Sequence, residues 1–259
     1  MIERIKDIIE YRDMIASLVK RDLRGRYMGS VLGFLWSFVN PLGQIIIYTI
    51  VFTFIFRTGL ENYYIYMVAG LIPWLFFSGA LSEGSFCIRS QSEMIKKIYF
   101  PREVLPIACV TSQFVNMLFC FVVIFAILIV TGYGMSLKAV AFLPLVMIIE
   151  YILTLGGVLI VSCVTVYFRD LQQIVGLLLM GWIYATPIMY SIDVIPDSIR
   201  ALYNYINPMT PIINAYHNIL YYKVAPTGDI WFSLIEGVIL LIIGFVLFGH
   251  LEFGFAEEM

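Results

Sequence analysis

The chain has 259 residues, of which 61% are hydrophobic and only 13% are Asp, Glu, Lys or Arg. Its mean hydropathy of +0.91 leaves too little polar surface to coat a water-soluble domain of this length, so an ordinary soluble enzyme or binding module is excluded. The net charge of −2 says little, because in a membrane protein the placement of charge matters more than its sum.

The first segment, residues 1–26, predicts an amphipathic helix in the headgroup plane at the cytoplasmic interface. At 100° per residue, most of its apolar side chains share one half of the helical wheel and most of its charged side chains share the other. Arg4, Arg12 and Asp22 intrude on the apolar half, so the helix could equally pack on a partner protein. The segment is too charged to be a signal peptide.

Long apolar runs follow. A bilayer core about 30 Å thick needs about 20 mostly apolar residues per helix, and backbone groups in lipid must be satisfied within the segment. The sequence therefore predicts an all-α membrane protein that forms a single transmembrane domain over residues 1–259. Its six predicted spans lie at roughly 31–56, 64–86, 104–131, 139–166, 171–190 and 232–250, with a tail at 251–259.

The basic residues predict the orientation of these spans. Seven Lys and Arg residues precede residue 27, four lie between residues 87 and 103, and Arg169 follows the fourth span. The opposite face has only the four remaining basic residues of the 16 in the chain. By the positive-inside rule, both termini are expected in the cytoplasm.

The stretch 191–231 is the longest piece outside the predicted spans. Apolar residues recur in it at helical spacings between the helix breakers Pro196, Pro208, Pro211 and Pro226. This pattern predicts two short helices on the outer side. They could dip back into the membrane around a vestibule, where protein or water would surround them, or rest as a lid on the headgroups.

Polar residues mark one face of the first span. Ser37, Asn40, Gln44 and Tyr48 fall within an arc of about 80° at 100° per residue. Such a stripe could join helices by hydrogen bonds or form the wall of a pathway.

In the fourth span, Glu150 is expected to face the protein interior, in a structural hydrogen bond or as a proton or substrate site.

Residue types that carry catalysis are scarce. The four cysteines form no CxxC pair, and His217 and His250 are the only histidines, without an HExxH motif. The sequence contains no GxxxxGK[ST] loop for a nucleotide. Its basic residues follow the topology rule, which leaves nothing to indicate nucleic-acid binding. We therefore expect no catalytic site, metal site or cofactor in this chain.

Four runs give the sequence a family resemblance: KRDLRGRYMGSVLGFLWSFVNP at 20–41, MIKKIYFPREVLP at 94–106, YFRDLQQIV at 167–175 and NPMTPIINAYHNIL at 207–220. Together with the terminal FAEEM, they resemble the permease subunits of type-2 ABC exporters for polysaccharide, O antigen and teichoic acid. His217 stands where many of these relatives have an arginine, so no role is assigned to it.

The resemblance implies a homodimer in a bacterial plasma membrane, joined to two copies of a separate ATPase that binds ATP and Mg²⁺. A lipid-linked glycan would pass between the two permeases. Residues 94–102 would include the helix that couples to the ATPase, although their charges could instead anchor to anionic lipid. The expected coupling residues are Met94, Ile95, Lys96, Lys97, Tyr99 and Arg102.

A polysaccharide needs a wide, wet route, and aromatic rings could offer stacking without strong binding. The expected path residues are the four of the polar stripe together with Phe52, Trp74, Phe77 and Tyr184. The carrier lipid would stay in the bilayer, with its diphosphate near Arg24 and Arg26.

Three other hypotheses remain open at this stage. The chain could belong to an exporter of small molecules or drugs, which the match along the whole chain disfavours. It could be a membrane-embedded glycosyl or acyl transferase, although it lacks a cluster of acidic residues or histidines at one interface. It could also be a passive channel or scaffold, which would not respond to charge reversal at Lys96 and Lys97.

Overall fold

The computed structural model describes residues 2–25, 33–55 and 59–258, which fold into helices without a β-strand in these ranges. The helices are α1 (Ile2–Glu10), α2 (Arg12–Gly25), α3 (Trp36–Ile50), α4 (Tyr63–Cys87), α5 (Ser92–Lys97), α6 (Val104–Val130), α7 (Leu137–Val140), α8 (Leu143–Tyr167), α9 (Leu171–Trp182), α10 (Asp197–Ile206), α11 (Met209–Leu220), α12 (Ile230–Leu251) and α13 (Phe255–Glu258). The predicted all-α membrane fold is confirmed.

Within these described ranges, five helical stretches are long and apolar enough to cross a bilayer: Trp36–Phe54, Tyr63–Cys87, Val104–Val130, Leu137–Tyr167 and Ile230–Gly254. The first of them includes a π-helical turn, Val51–Ile55, that continues α3. These five stretches correspond to the first four and the last of the predicted spans.

The predicted fifth span, 171–190, differs from the others. Its helix α9 has only 12 residues, and turns follow it through residue 188. A helix rises 1.5 Å per residue, so α9 is shorter than a bilayer core. Trp182 donates to the side chain of Asn207 at 2.9 Å, and Asn207 donates to the carbonyl of Ala185 at 2.8 Å. The chain after α9 is thus held by the segment 191–231 through Asn207, and a sixth crossing stays a prediction.

The N-terminal segment forms two helices where the sequence predicted one. The break falls at Tyr11, and α2 then lies along α6 of the same chain. Leu18 is the buried residue of α2 in this contact. At least part of the apolar face of α2 is therefore buried against the same chain.

Helix α4 lies at the centre of the bundle, between α6, α8, α9 and α11. The predicted outer segment contains two short helices, α10 and α11. Most side chains of α11 are buried against α4, α8 and α12, whereas α10 leaves Leu202 and Ile206 exposed. Protein therefore surrounds α11, which is the condition that re-entrant backbone requires; its depth in a membrane stays a prediction.

Small residues allow α8 and α12 to approach closely. A Cβ atom on Gly156 would lie 2.6 Å from the backbone nitrogen of Leu241, and one on Gly237 would lie 3.1 Å from the Cα of Leu153. Gly244 similarly faces Leu159. Without side chains at these positions, the two backbones make the direct van der Waals contact that stabilises helix pairs in lipid.

Replacement of Gly156 by alanine should therefore destabilise the bundle by about 1 to 3 kcal/mol, the usual cost of overpacking a tight core. The matched control is Gly157→Ala on the same helix, where the new Cβ would meet only the flexible end of Leu81, at 3.2 Å. The midpoint of thermal unfolding in detergent, followed by tryptophan fluorescence, should fall for G156A and stay near wild type for G157A. Equal midpoints for the two variants would contradict the close approach.

Candidate functional site

Helix α5 and the residues after it form a short platform that leads from α4 to α6. Ile95 and Phe100 are buried and attach the platform to the bundle, while Lys96 and Lys97 are exposed. Tyr99 is 95% exposed, which is unusual for so large a ring. The platform therefore presents two cations and an aromatic ring away from the core.

Other predicted coupling residues lie differently on this platform. Met94 is half-buried against the core. The guanidinium of Arg102 donates to the carbonyl of Glu252 and lies 5.7 Å above the ring of Phe255. Sequence reasoning grouped Arg102 with Lys96 and Lys97, whereas the structure directs it to the C-terminal segment of its own chain.

The polar stripe of the first span divides into two parts. Ser37 is buried, and its carbonyl accepts from the thiol of Cys120 on α6 at 3.5 Å. Asn40 is exposed, and Gln44 and Tyr48 are half-buried. The backbone of Ser37 thus contacts α6, while its own hydroxyl has no partner among the described residues. Asn40, Gln44 and Tyr48 remain partly open.

The predicted path aromatics also separate. Tyr184 is 63% exposed. Trp74 and Phe77 are instead buried, with Trp182 at 6.3 and 5.3 Å between ring centroids. These two rings help to form the core of one chain and are not accessible from its surface.

Phe52 stacks on Tyr63 with 6.1 Å between the ring centroids. It is half-buried and lies in the π-helical turn that ends the first spanning stretch. The ring thus ties this end of the span to the beginning of α4.

A cavity of about 610 Å³ opens between α2, the C-terminal end of α4 and the beginning of α6. Its polar lining comes from Arg21, Asp22, Ser82, Glu83, Ser90, Gln91 and Gln172, and Phe86 is among its apolar walls. Hydroxyl, amide and carboxylate groups around an aromatic ring are suited to hydrogen-bonding a sugar. Sequence reasoning missed this cavity because its walls come from segments far apart in the chain, without a local motif.

The predicted diphosphate contacts are not part of that lining. Arg24 is exposed and borders a second cavity, of about 460 Å³, between α2 and α6. Arg26 lies outside the described residues. Gly25 is the last described residue before this gap and lines the larger cavity.

Glu150 is fully buried, as its position in the fourth span predicted. Its Oε2 accepts a hydrogen bond of 2.6 Å from the hydroxyl of Tyr216 on α11, while its Oε1 has no partner among the described residues. Next to Tyr216, His217 stacks on Tyr66 with 3.7 Å between ring centroids. Both residues of α11 therefore hold this helix against the spans.

The arrangement of helices defines the class of this chain as a membrane-embedded α-helical bundle with a solvent-facing platform between two of its spans. The model of the ABC-2 type transporter family matches residues 14–221. The chain therefore belongs to the ABC-2 type transporter family.

Relatives in this family are similar along nearly the whole chain. The O-antigen export system permease protein RfbA of Myxococcus xanthus is 34% identical, with all of both chains covered. The protein of the same name from Klebsiella pneumoniae is 34% identical over 95% of this chain and 94% of its own length. The polysialic acid transport protein KpsM of Escherichia coli is 23% identical over 77% of this chain and 78% of its own. The family resemblance noted in the sequence is confirmed.

The Glu150 pair generates a stability prediction. Tyr216→Phe would leave a buried carboxyl without its bond, which should lower the free energy of unfolding by about 1 to 3 kcal/mol. Tyr221→Phe is the matched control, because Tyr221 also donates at 2.6 Å, to the carbonyl of Glu61, but in an exposed position. Thermal unfolding in detergent should show the larger loss for Y216F. A larger loss for Y221F would contradict a stabilising role of the buried pair.

Proposed function

We propose that this chain is the permease of an ATP-driven exporter that moves a lipid-linked polysaccharide, of the O-antigen or teichoic acid type, across the bacterial plasma membrane. The full-length similarity to permeases named for O-antigen export is the observation that carries this proposal. A separate ATPase subunit would supply the energy, and both termini would lie in the cytoplasm with it.

The platform around α5 is the proposed contact with the ATPase. Lys96 and Lys97 are exposed, and Lys97 has an exposed ion pair with Glu93 at 3.0 Å that contributes little stability. Charged groups held at an exposed surface can therefore exchange a weak partner for an acidic group on another protein. Tyr99 adds a large exposed ring, the kind of side chain that is enriched in protein interfaces.

A homodimer would complete the pathway. The outer faces of α3 and α9 are covered little by the rest of the chain, and Ile47, Leu177 and Leu178 are exposed on them. If two copies meet along these helices, the open part of the polar stripe, with Asn40 and Gln44, lies between them. The glycan would then pass along a wall of polar groups, Tyr48 and Tyr184.

The cytoplasmic end of that route would receive the substrate. The cavity beside Glu83 and Phe86 is large enough for a sugar unit, and its polar groups are of the kind that hydrogen-bond hydroxyls. The carrier lipid would remain in the bilayer, and Arg24 is exposed nearby for its diphosphate.

The coupling contact can be tested by charge reversal. Lys96→Glu with Lys97→Glu should abolish most ATP-driven export of lipid-linked glycan from vesicles that contain the permease and its ATPase, because like charges would oppose docking. Lys138→Glu is the matched control, since Lys138 is equally exposed but lies before the fourth span, on the expected outer side. Export, ATP hydrolysis and copurification of the ATPase are measured together.

Unchanged export by the double variant would contradict the proposed contact. A wild-type chain that binds no ATPase but modifies a lipid-linked sugar would overturn the transport function and indicate a membrane transferase. Transport of small molecules in place of the glycan would indicate the drug-exporter alternative.

The proposed pathway wall predicts water access along one face of α3. In a cysteine-free background, Asn40→Cys and Gln44→Cys should react with a membrane-impermeant thiol reagent added on both sides of the membrane, whereas Ile46→Cys should not. Ile46 is the matched control, because it lies on the same helix about 200° away from Gln44, at 100° per residue. Faster labelling at position 46 than at positions 40 and 44 would place the water-filled route on another face.

A further inference from the structure

The C-terminal segment, Glu252–Glu258, turns back under the bundle and inserts one aromatic ring. Phe255 is 0% exposed, although Phe253, only two residues earlier, is 79% exposed. The burial therefore indicates that Phe255 packs at a defined position.

Phe255 connects the ends of two long helices. Its ring centroid lies 5.5 Å from that of Phe248 in α12 and 6.1 Å from that of Tyr167 at the end of α8. The hydroxyl of Tyr167 also donates to the carbonyl of Leu251 at 2.6 Å. A Cβ atom on Gly254 would lie 2.3 Å from this hydroxyl, so the tail passes Tyr167 where only glycine fits without a rearrangement.

The same ring also meets the coupling platform. Arg102, five residues after α5, donates to the carbonyl of Glu252 and places its guanidinium 5.7 Å from the ring centroid of Phe255. The last helical turn, α13, lies against α5 as well. One buried side chain thus touches elements that lead to α5, α8 and α12.

This contact matters because the covalent link that continues from α5 to α6 is not helical, whereas a 3-10 turn, Arg89–Gln91, connects α5 to α4 on its other side. Residues 98–101 are irregular between α5 and α6, and such a link can bend when α5 is displaced. Close-packed rings, in contrast, transmit a displacement because they have little free volume to absorb it.

We propose that the C-terminal segment Glu252–Glu258 is a strut that transmits movement of the coupling platform to α8 and α12, with Phe255 and Arg102 as its positioning residues. The inference rests on the proposed ATP-driven export. It assigns Arg102 to a contact inside the permease, whereas Lys96, Lys97 and Tyr99 meet the ATPase.

The test uses the full permease with its ATPase in vesicles and measures copurification, ATP hydrolysis and the amount of glycan exported per ATP hydrolysed. Phe255→Ala should leave assembly and hydrolysis near wild type, while export per ATP falls by about fivefold or more, the lower range for coupling between two sites. Phe255→Leu, which keeps an apolar side chain in the gap, should recover part of the loss. Arg102→Ala should resemble F255A, and Arg102→Lys should fall between R102A and wild type.

Phe253→Ala is the matched control, because it removes an exposed ring two residues away. If the tail acted as a contact for the ATPase, F253A would weaken copurification and F255A would not lower export per ATP, which would overturn the strut. Unchanged export per ATP in both F255A and R102A would overturn it as well. If F255A fails to fold, the amount of glycan exported per ATP hydrolysed is measured for R102A and F255L, and a loss in R102A with a smaller loss in F255L supports the strut. Wild-type vesicles that do not export with the ATPase would refute the proposed function instead.

Discussion

Contact between the backbones of α8 and α12 is the interaction on which the rest of the structure depends. Lipid offers no hydrophobic driving force between helices, so the pair is stabilised by packing, and Gly156 and Gly244 permit that packing. Once the two helices are joined, their ends at Tyr167 and Leu251 are adjacent. The same pair provides, with α4, the wall against which α11 packs. The positions of the C-terminal segment and of α11 thus both depend on this contact.

Polar groups in the interior specify how the remaining elements dock. The hydroxyl of Tyr216 on Glu150 and the ring of His217 on Tyr66 hold α11 at one register against two different spans. Gly70 admits His217, because a Cβ atom there would lie 2.7 Å from its Nε2. A buried polar pair stabilises only when its geometry is satisfied, so these contacts favour a single position of α11.

The two surfaces proposed to act in transport are both faces that the single chain leaves uncovered. On the platform, buried Ile95 and Phe100 hold the backbone while Lys96, Lys97 and Tyr99 point away. On α3 and α9, apolar side chains and the remaining polar stripe lack cover from the same chain. A subunit that works inside a larger complex needs such faces. The strut at Phe255 connects the platform to the ends of α8 and α12.

Much of this protein follows from hydropathy and local pattern. The length of the apolar runs determined the all-α membrane class and five of the six predicted spans, because a bilayer demands long helices with internal hydrogen bonds. The helical spacing of apolar residues predicted the two short helices α10 and α11, although Pro211, expected to break a helix, lies inside the first turn of α11. Four sequence runs indicated the family. Buried Glu150 was expected, because an ionisable group in a span avoids lipid.

Only the tertiary structure decided which residues share a surface. The chain after α9 is held by Asn207, which is distant in sequence and leaves no periodic signal in α9 itself. Arg102 carries the same charge as Lys97, yet the structure turns it toward Phe255, and Trp74 and Phe77 pack inside although they resemble path aromatics. The cavity beside Glu83 is built from separate segments. The physical reason is that the hydrophobic pattern of the sequence predicts only whether one face of a helix is apolar or polar. Which other helix that face contacts depends on shape complementarity and hydrogen-bond geometry between distant parts of the chain.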